Sequence, residues 1–299
     1  MRIATAAALA ALLLGAMAPP LLATPITYKD LLARERPAAT VARIPYGADP
    51  LQFGELWLPE GKGPHPVVAL IHGGCWRADL PGVELMAHMA EALRRDGIAV
   101  WNVEYRRLGG GGGYPATFQD VAAGIDHLRA LAPRHRLDLS RVVVSGHSAG
   151  GHLAAWLAAR PRLPADSPLR TADPLRVKGV VSLAGIVDLA AYRADGPAAC
   201  GGPATIDGLT GAATGRTGEL YRDTSPAALL PLGVPQAVVS GALDKIVPSR
   251  FGESYGAAAK AAGDRVEIID FQDAGHFELI DPTSDAWKRL REVYRGLLG

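Results

Sequence analysis

Cysteine is nearly absent from this chain, and so is any excess of charge: its 299 residues hold 2 cysteines, and 31 Lys and Arg face 30 Asp and Glu for a formal charge of +1. Near-neutrality removes the electrostatic case for a nucleic-acid partner or an anionic membrane surface. Histidines with metal-site spacing and supporting carboxylates, such as His-Glu-x-x-His, do not occur, so no metal and no cofactor is expected. The glycine run 109–113 has no Lys-Ser/Thr after it, which excludes a phosphate-cradling P-loop and leaves a flexible loop. Arg106-Arg107 is a short, isolated basic pair and reads as solvated loop.

The chain opens differently from the rest. Met1-Arg2 leads into an Ala/Leu run to Met17, then Pro19-Pro20-Leu21-Leu22-Ala23, matching the charged, apolar and small-residue regions of a signal peptide. Residues 1–23 are expected to be cleaved and the remainder exported, to a periplasm or outside the cell. A retained anchor is the alternative, opposed by the shortness of the run and its two prolines. No cysteine follows the run, which argues against a lipoprotein. Stable membrane insertion after cleavage is not expected. An oxidising compartment permits a bridge between Cys75 and Cys200, a long closure worth about 4 to 5 kcal/mol in the chain-entropy model. Two unpaired thiols are the alternative.

Residues 24–299 read as one domain, because 48% hydrophobic and 20% charged residues can bury a single large core. Strand patterns fall at 40–46, 51–58, 66–71, 98–105, 141–145, 177–184, 235–240 and 266–271. Helical patterns alternate with them, among them 83–95, 117–131, 152–160 and 286–298. Such alternation predicts an α/β fold, a doubly wound, mostly parallel eight-stranded sheet with helices on both faces. Right-handed crossovers then gather the strand ends that carry motifs along one edge. Residues 188–226, rich in glycine and weak in periodicity, break the pattern and read as a small cap or lid, or an ordered surface loop.

Chemistry concentrates at those strand ends. VVSGHSAGG (143–151) runs a strand through Gly146-His147-Ser148-Ala149-Gly150 into a helix, the strand, tight turn and helix context that makes Ser148 a candidate nucleophile. PVVALIHGG (66–74) ends in His72-Gly73-Gly74-Cys75-Trp76, a turn whose Gly74 and Cys75 N–H groups, with that of Ala149, suit an oxyanion hole. Asp244 follows the seventh strand and His276 the eighth. Ser148, Asp244, His276 is the chain order of an α/β-hydrolase triad. Asp188, Asp270 and Asp273 compete with Asp244 for the acid.

These four motifs together resemble the α/β-hydrolase superfamily over nearly the whole chain from about residue 40. Within it, His-Gly-Gly-x-Trp is similar to the esterase and arylformamidase-like group, related to feruloyl esterases and kynurenine formamidases. One departure is Cys75, where the hormone-sensitive-lipase-like enzymes carry glycine. The resemblance implies acyl transfer: His276 takes the Ser148 proton, Asp244 fixes the imidazole tautomer, and water hydrolyses the acyl-enzyme. Since a neutral His276 must act as base, activity is expected to fall as pH drops through about 6 to 7.

A carboxylesterase on small or aryl esters leads. The alternatives are an amidohydrolase (arylformamidase-like, or a peptidase related to prolyl oligopeptidase) and a non-catalytic binding protein on the same fold. Trp76 reads as acyl-pocket lining or as a core wedge. His147 is assigned to the substrate pocket, and His147 and His152 to orienting or packing. His65, His88, His127 and His135 read as solvated. A catalytic Cys75 with His72 is disfavoured, because two residues so close along an extended turn would hardly align.

Overall fold

The computed structural model describes residues 24–299, so the expected signal segment lies outside the described residues. Its strands are β1 (Val41–Pro45), β2 (Phe53–Trp57), β3 (His65–Ile71), β4 (Ala99–Val103), β5 (Leu137–His147), β6 (Gly179–Leu183), β7 (Gln236–Gly241) and β8 (Val266–Phe271). They form one sheet in the order β1-β2-β4-β3-β5-β6-β7-β8. The first two pair antiparallel with their neighbours, and every pair from β4/β3 to β7/β8 is parallel. This is the expected α/β-hydrolase architecture.

Burial follows from the layering. Parallel strands covered on both faces need apolar side chains at every position, not at alternate ones, and β4, β6 and β7 are buried along their whole length. The edge strands β1 and β8 are half-exposed. Trp57, Trp76, Trp101 and Trp156 are fully enclosed in the core.

Helices α1 (Tyr28–Leu32), α2 (Ala87–Arg95), α3 (Ala116–Asp126), α4 (Leu128–His135), α5 (Ala149–Ala159), α6 (Leu189–Asp195), α7 (Pro203–Thr210), α8 (Ser249–Ala261) and α9 (Ala286–Leu298) surround the sheet. The 83–95 pattern divides into a 3-10 turn, Val83–Met86, and α2. The 117–131 pattern divides at His127 into α3 and α4. Hydrophobic periodicity survives both breaks, since each pair of pieces still presents one face to the sheet.

Residues 188–226 contain α6 and α7, joined by the Arg193–Asp207 ion pair. Asp223, fully buried, fixes the far end of this segment. It accepts from Arg216 Nη2 at 2.6 Å, Ser167 Oγ at 2.8 Å and Tyr114 Oη at 3.3 Å.

Two expectations need correction. Arg106 and Arg107 are not solvated: Arg106 binds fully buried Asp120 through both Nε and Nη2, and Arg107, 6% exposed, donates from Nη1 to the carbonyls of Arg77, Leu80 and Pro81. An isolated basic pair carries no sign of the distant acceptors that bury it. The glycine run is also a built turn, with Gly110 N and Gly112 N both donating to Arg107 O. His65, His88, His127 and His135 are half-buried, and His65 opens β3.

Candidate active site

Ser148 sits between the end of β5 and the start of α5 at φ 56°, ψ −120°. A non-glycine residue there is strained, at a cost on the order of 1–3 kcal/mol that the surroundings must override. They do so through neighbouring glycines. A Cβ on Gly146 would fall 2.1 Å from Gly150 O, and one on Gly150 would fall 2.1 Å from Ile71 O, so the chain passes where only glycine fits. Ser148 N donates to Leu183 O at 2.8 Å, which locks the turn to β6. Among the described residues, Ser148 Oγ has no hydrogen-bond partner, and the residue lines a cavity.

The turn after β3 is held the same way. Gly74, Cys75 and Trp76 have φ of 99°, 50° and 55°, three consecutive residues in the left-handed region, closed by Arg77 N donating to Gly74 O at 2.8 Å. Among the described residues, the N–H groups of Gly74, Cys75 and Ala149 have no partner, and Gly74 and Cys75 line the cavity beside Ser148. Ala149 opens α5, so its N–H is one of the orphan donors of a helix N-terminus. Cys75 is bonded to Cys200 in a disulfide, tying this turn to the segment between α6 and α7.

Beneath the turn lies a buried polar cluster. His72 Nε2 meets Glu104 Oε1 at 2.9 Å, its Nδ1 meets Gly73 O at 2.8 Å, and its ring stacks on Tyr105 at 4.4 Å. Burial alone would raise the Glu104 carboxyl, but His72, Arg107 and the Tyr105 N–H outweigh it and hold the group at about 2. His72 therefore faces away from Cys75 chemistry, into the support of the turn.

Asp244 and His276 come from the loops after β7 and β8. Asp244 Oδ1 accepts from the N–H groups of Ile246 (2.7 Å) and Val247 (2.9 Å), while Oδ2 accepts from His276 Nδ1 at 2.6 Å. With Nδ1–H committed, Nε2 is the nitrogen free to accept a proton, and His276 lines the same cavity as Ser148. The competing acids lie elsewhere: Asp188 caps α6 through Ala191 N at 3.0 Å, and Asp270 accepts from Gln272.

His147 lines the cavity and donates from Nε2 to His276 O at 2.9 Å, its ring 4.4 Å from the His276 ring. Burial first, and His276 beside it second, push its imidazole well below the ordinary histidine range, so it is a neutral donor to the His276 backbone. His152 is fully buried on α5 and donates to Thr224 O at 2.7 Å, with burial lowering it to about 4. Trp76 does not line the cavity. It is fully enclosed, edge-on to His152 at 5.3 Å, which makes it the core wedge and not acyl-pocket lining.

The cavity measures about 140 Å³, and beside Phe277 much of its wall comes from residues no motif announced: Tyr28 of α1, Leu80, Pro81 and Leu85. Only Phe277, directly after the histidine motif, had a local signal. Tyr28 reaches the site through long-range packing that spacing does not encode. Among the described residues, no cluster of His, Cys, Asp and Glu could hold a metal, and no helix is long and apolar enough to cross a membrane.

Comparison with known proteins adds the family. The BD-FAE family model matches residues 55–256. This chain belongs to the BD-FAE family. The matched span covers the turn after β3, the Ser148 turn and Asp244, and stops before His276 and Phe277. The BD-FAE chain is 27% identical over 268 residues to Esterase LipC of Mycobacterium tuberculosis, covering 85% of this chain and 65% of that protein. It is 31% identical over 114 residues to a probable isoprenylcysteine alpha-carbonyl methylesterase of Arabidopsis thaliana, covering 38% of this chain and 23% of that one. The chain thus spans less than two thirds of the length of either relative. Among solved structures, esterase B from Lactobacillus rhamnosis superposes with a TM-score of 0.75 at 20% identity, over 91% of this chain and 90% of that one, a likeness of fold.

Proposed function

We propose that this BD-FAE-family chain is a serine hydrolase, a carboxylesterase that cleaves small or aryl esters through an acyl-enzyme on Ser148. The observation that carries it is the convergence on one cavity of strained Ser148, His276 with its Nδ1 held by Asp244 at 2.6 Å, and the unpartnered N–H donors of Gly74 and Cys75. In this reading His276 Nε2 takes the Ser148 proton as Oγ attacks the carbonyl. Asp244 holds the tautomer and stabilises the imidazolium. The N–H groups of Gly74, Cys75 and Ala149 receive the oxyanion, each donor worth roughly 3 to 4 kcal/mol. His276 then gives its proton to the leaving alcohol, and a water deprotonated by the same base releases the acid.

His147 holds the His276 carbonyl through its Nε2–H, a positioning role at the pocket wall. Residues 188–226 act as a small cap, coupled to the oxyanion turn by the Cys75–Cys200 bridge. That bridge and the leader-like residues 1–23 support an exported enzyme. Partners reduce to a small ester substrate, with no nucleic acid and no inserted membrane segment.

The test is hydrolysis of p-nitrophenyl butyrate and of butyryl p-nitroanilide by the purified enzyme and its Ser148→Ala variant. Ester turnover lost in the variant, with little anilide turnover, is the expected result. Comparable anilide turnover would move the assignment to an amidohydrolase. Ester turnover that survives Ser148→Ala would remove the mechanism.

A further inference from the structure

Tyr28 lies outside every motif, outside the span matched by the family model and before the first strand, yet it lines the cavity that holds Ser148 and His276. The segment that carries it is fastened at three points. Ile26 N donates to Glu278 Oε1 at 2.6 Å, while Gly275 N donates to Glu278 Oε2 at 2.9 Å, so one carboxylate ties this segment to the residue before His276. Leu31, one turn along α1, is 2% exposed in the main core. Arg34 closes the segment with two bonds of 2.7 Å to Asp281.

The Tyr28 ring packs against Phe277 at 6.1 Å between centroids, and Phe277 stands edge-on to His276 at 4.9 Å. A side chain carried on a segment fastened this firmly, half-buried against apolar neighbours, borders the reacting groups from a fixed backbone. The space it borders is about 140 Å³. A cavity of about 150 Å³ holds one benzene-sized group. The Tyr28 ring is itself of that size, so its removal would about double the room.

We propose that Tyr28 is a specificity-determining residue, the N-terminal wall that limits the length of the apolar group the cavity accepts. This rests on the esterase reading above, and its test separates the two. Values of kcat/KM are measured for p-nitrophenyl acetate to octanoate and for methyl to octyl acetates, in the wild-type enzyme, Tyr28→Ala and Tyr28→Trp. Tyr28→Ala is expected to raise the ratio of longest to shortest substrate in one series about tenfold or more, the lower end of what one accommodated methylene is worth. Tyr28→Trp is expected to lower that ratio, with melting temperatures of both variants close to the wild type.

Unchanged ratios in both series, or the same loss across all chain lengths in both variants, would overturn the wall. A readout without catalysis runs in parallel: the Kd of 1-octanol by ligand-observed NMR should tighten at least threefold in Tyr28→Ala and weaken in Tyr28→Trp. Equal Kd values would overturn the wall even in a protein that hydrolyses no ester, whereas absent Ser148-dependent turnover with the expected Kd order would count against the esterase reading alone.

Discussion

The floor of the cavity and its outer wall are held in opposite ways. The floor, Ser148 and the Gly74-Cys75 turn, consists of backbone in sparsely populated conformations, forced at Ser148 by Gly146 and Gly150, where a Cβ has no space, and locked by Ser148 N to Leu183 O and Arg77 N to Gly74 O. The wall, Tyr28, Leu80, Pro81 and Phe277, carries apolar side chains on backbone outside the left-handed region, positioned from afar: Arg107 holds the carbonyls of Leu80 and Pro81, and Glu278 and the Arg34–Asp281 ion pair hold the N-terminal segment. Strain overdetermined by sterics fixes atoms to within a few tenths of an ångström, which donors and nucleophiles need. Packing of this kind tolerates substitution, which suits the wall proposed to select substrates. The difference predicts that floor changes abolish chemistry while wall changes redistribute it.

The largest effect should come from Asp244→Asn, which keeps the bonds to Ile246 and Val247 within reach yet presents the wrong partner to His276 Nδ1. In the proposed mechanism kcat falls roughly 10⁴-fold, measured by steady-state ester hydrolysis at unchanged melting temperature; a loss under tenfold would remove Asp244 as the acid. Gly150→Ala comes next, since its Cβ would lie 2.1 Å from Ile71 O, and backbone cannot yield as a flexible side chain does. Destabilisation of about 4 kcal/mol or more is expected by urea titration, and a near-neutral result would show that the floor is not sterically fixed.

Breaking the Cys75–Cys200 bridge joins floor and wall in one experiment. Cys200→Ala should cost about 2–5 kcal/mol of stability and, in the proposed mechanism, lower kcat more than it raises KM, because Cys75 lies in the turn assigned to the oxyanion. A variant that loses stability but keeps kcat would make the bridge a tie of the cap alone.

Acid sensitivity sharpens the contrast further. His152, held at about 4 when folded against 6.5 when exposed, takes up its proton more readily in the unfolded chain, so its contribution is full above pH 6.5 and is lost as pH falls towards 4. That loss amounts to about 3 kcal/mol at most. Glu104, at about 2 against 4.5, continues the decline from pH 4.5 downwards, loosening the support of the turn after β3. Urea midpoints that stay flat between pH 7.5 and 4.5 would contradict the first step.

The same division decides what could be read from the residues alone. Every strand was legible to within a few residues because apolar runs and glycine breaks are local, and the placement of Ser148, Asp244 and His276 in loops at strand ends was legible because each follows one such run. The larger deviation is β5, expected over 141–145 and observed as Leu137–His147: its first residues pair with β3 through a register shift that no pattern shows. Helices α6 and α7 were invisible in a glycine-rich stretch whose order depends on Asp223 reaching Tyr114 and Ser167 outside it and on Arg193 of one helix pairing with Asp207 of the next. Tyr28 illustrates the limit, since 120 residues separate it from Ser148 and only the folded chain brings them to one cavity.

Mass spectrometry of the protein after reaction with a small fluorophosphonate tests the central claim most directly, because it reports the nucleophile and not a product. The account predicts one equivalent of adduct on the peptide containing Ser148, lost in His276→Ala, whose missing base leaves Oγ protonated. Adduct on another residue, or full labelling of Ser148 without His276, would contradict it.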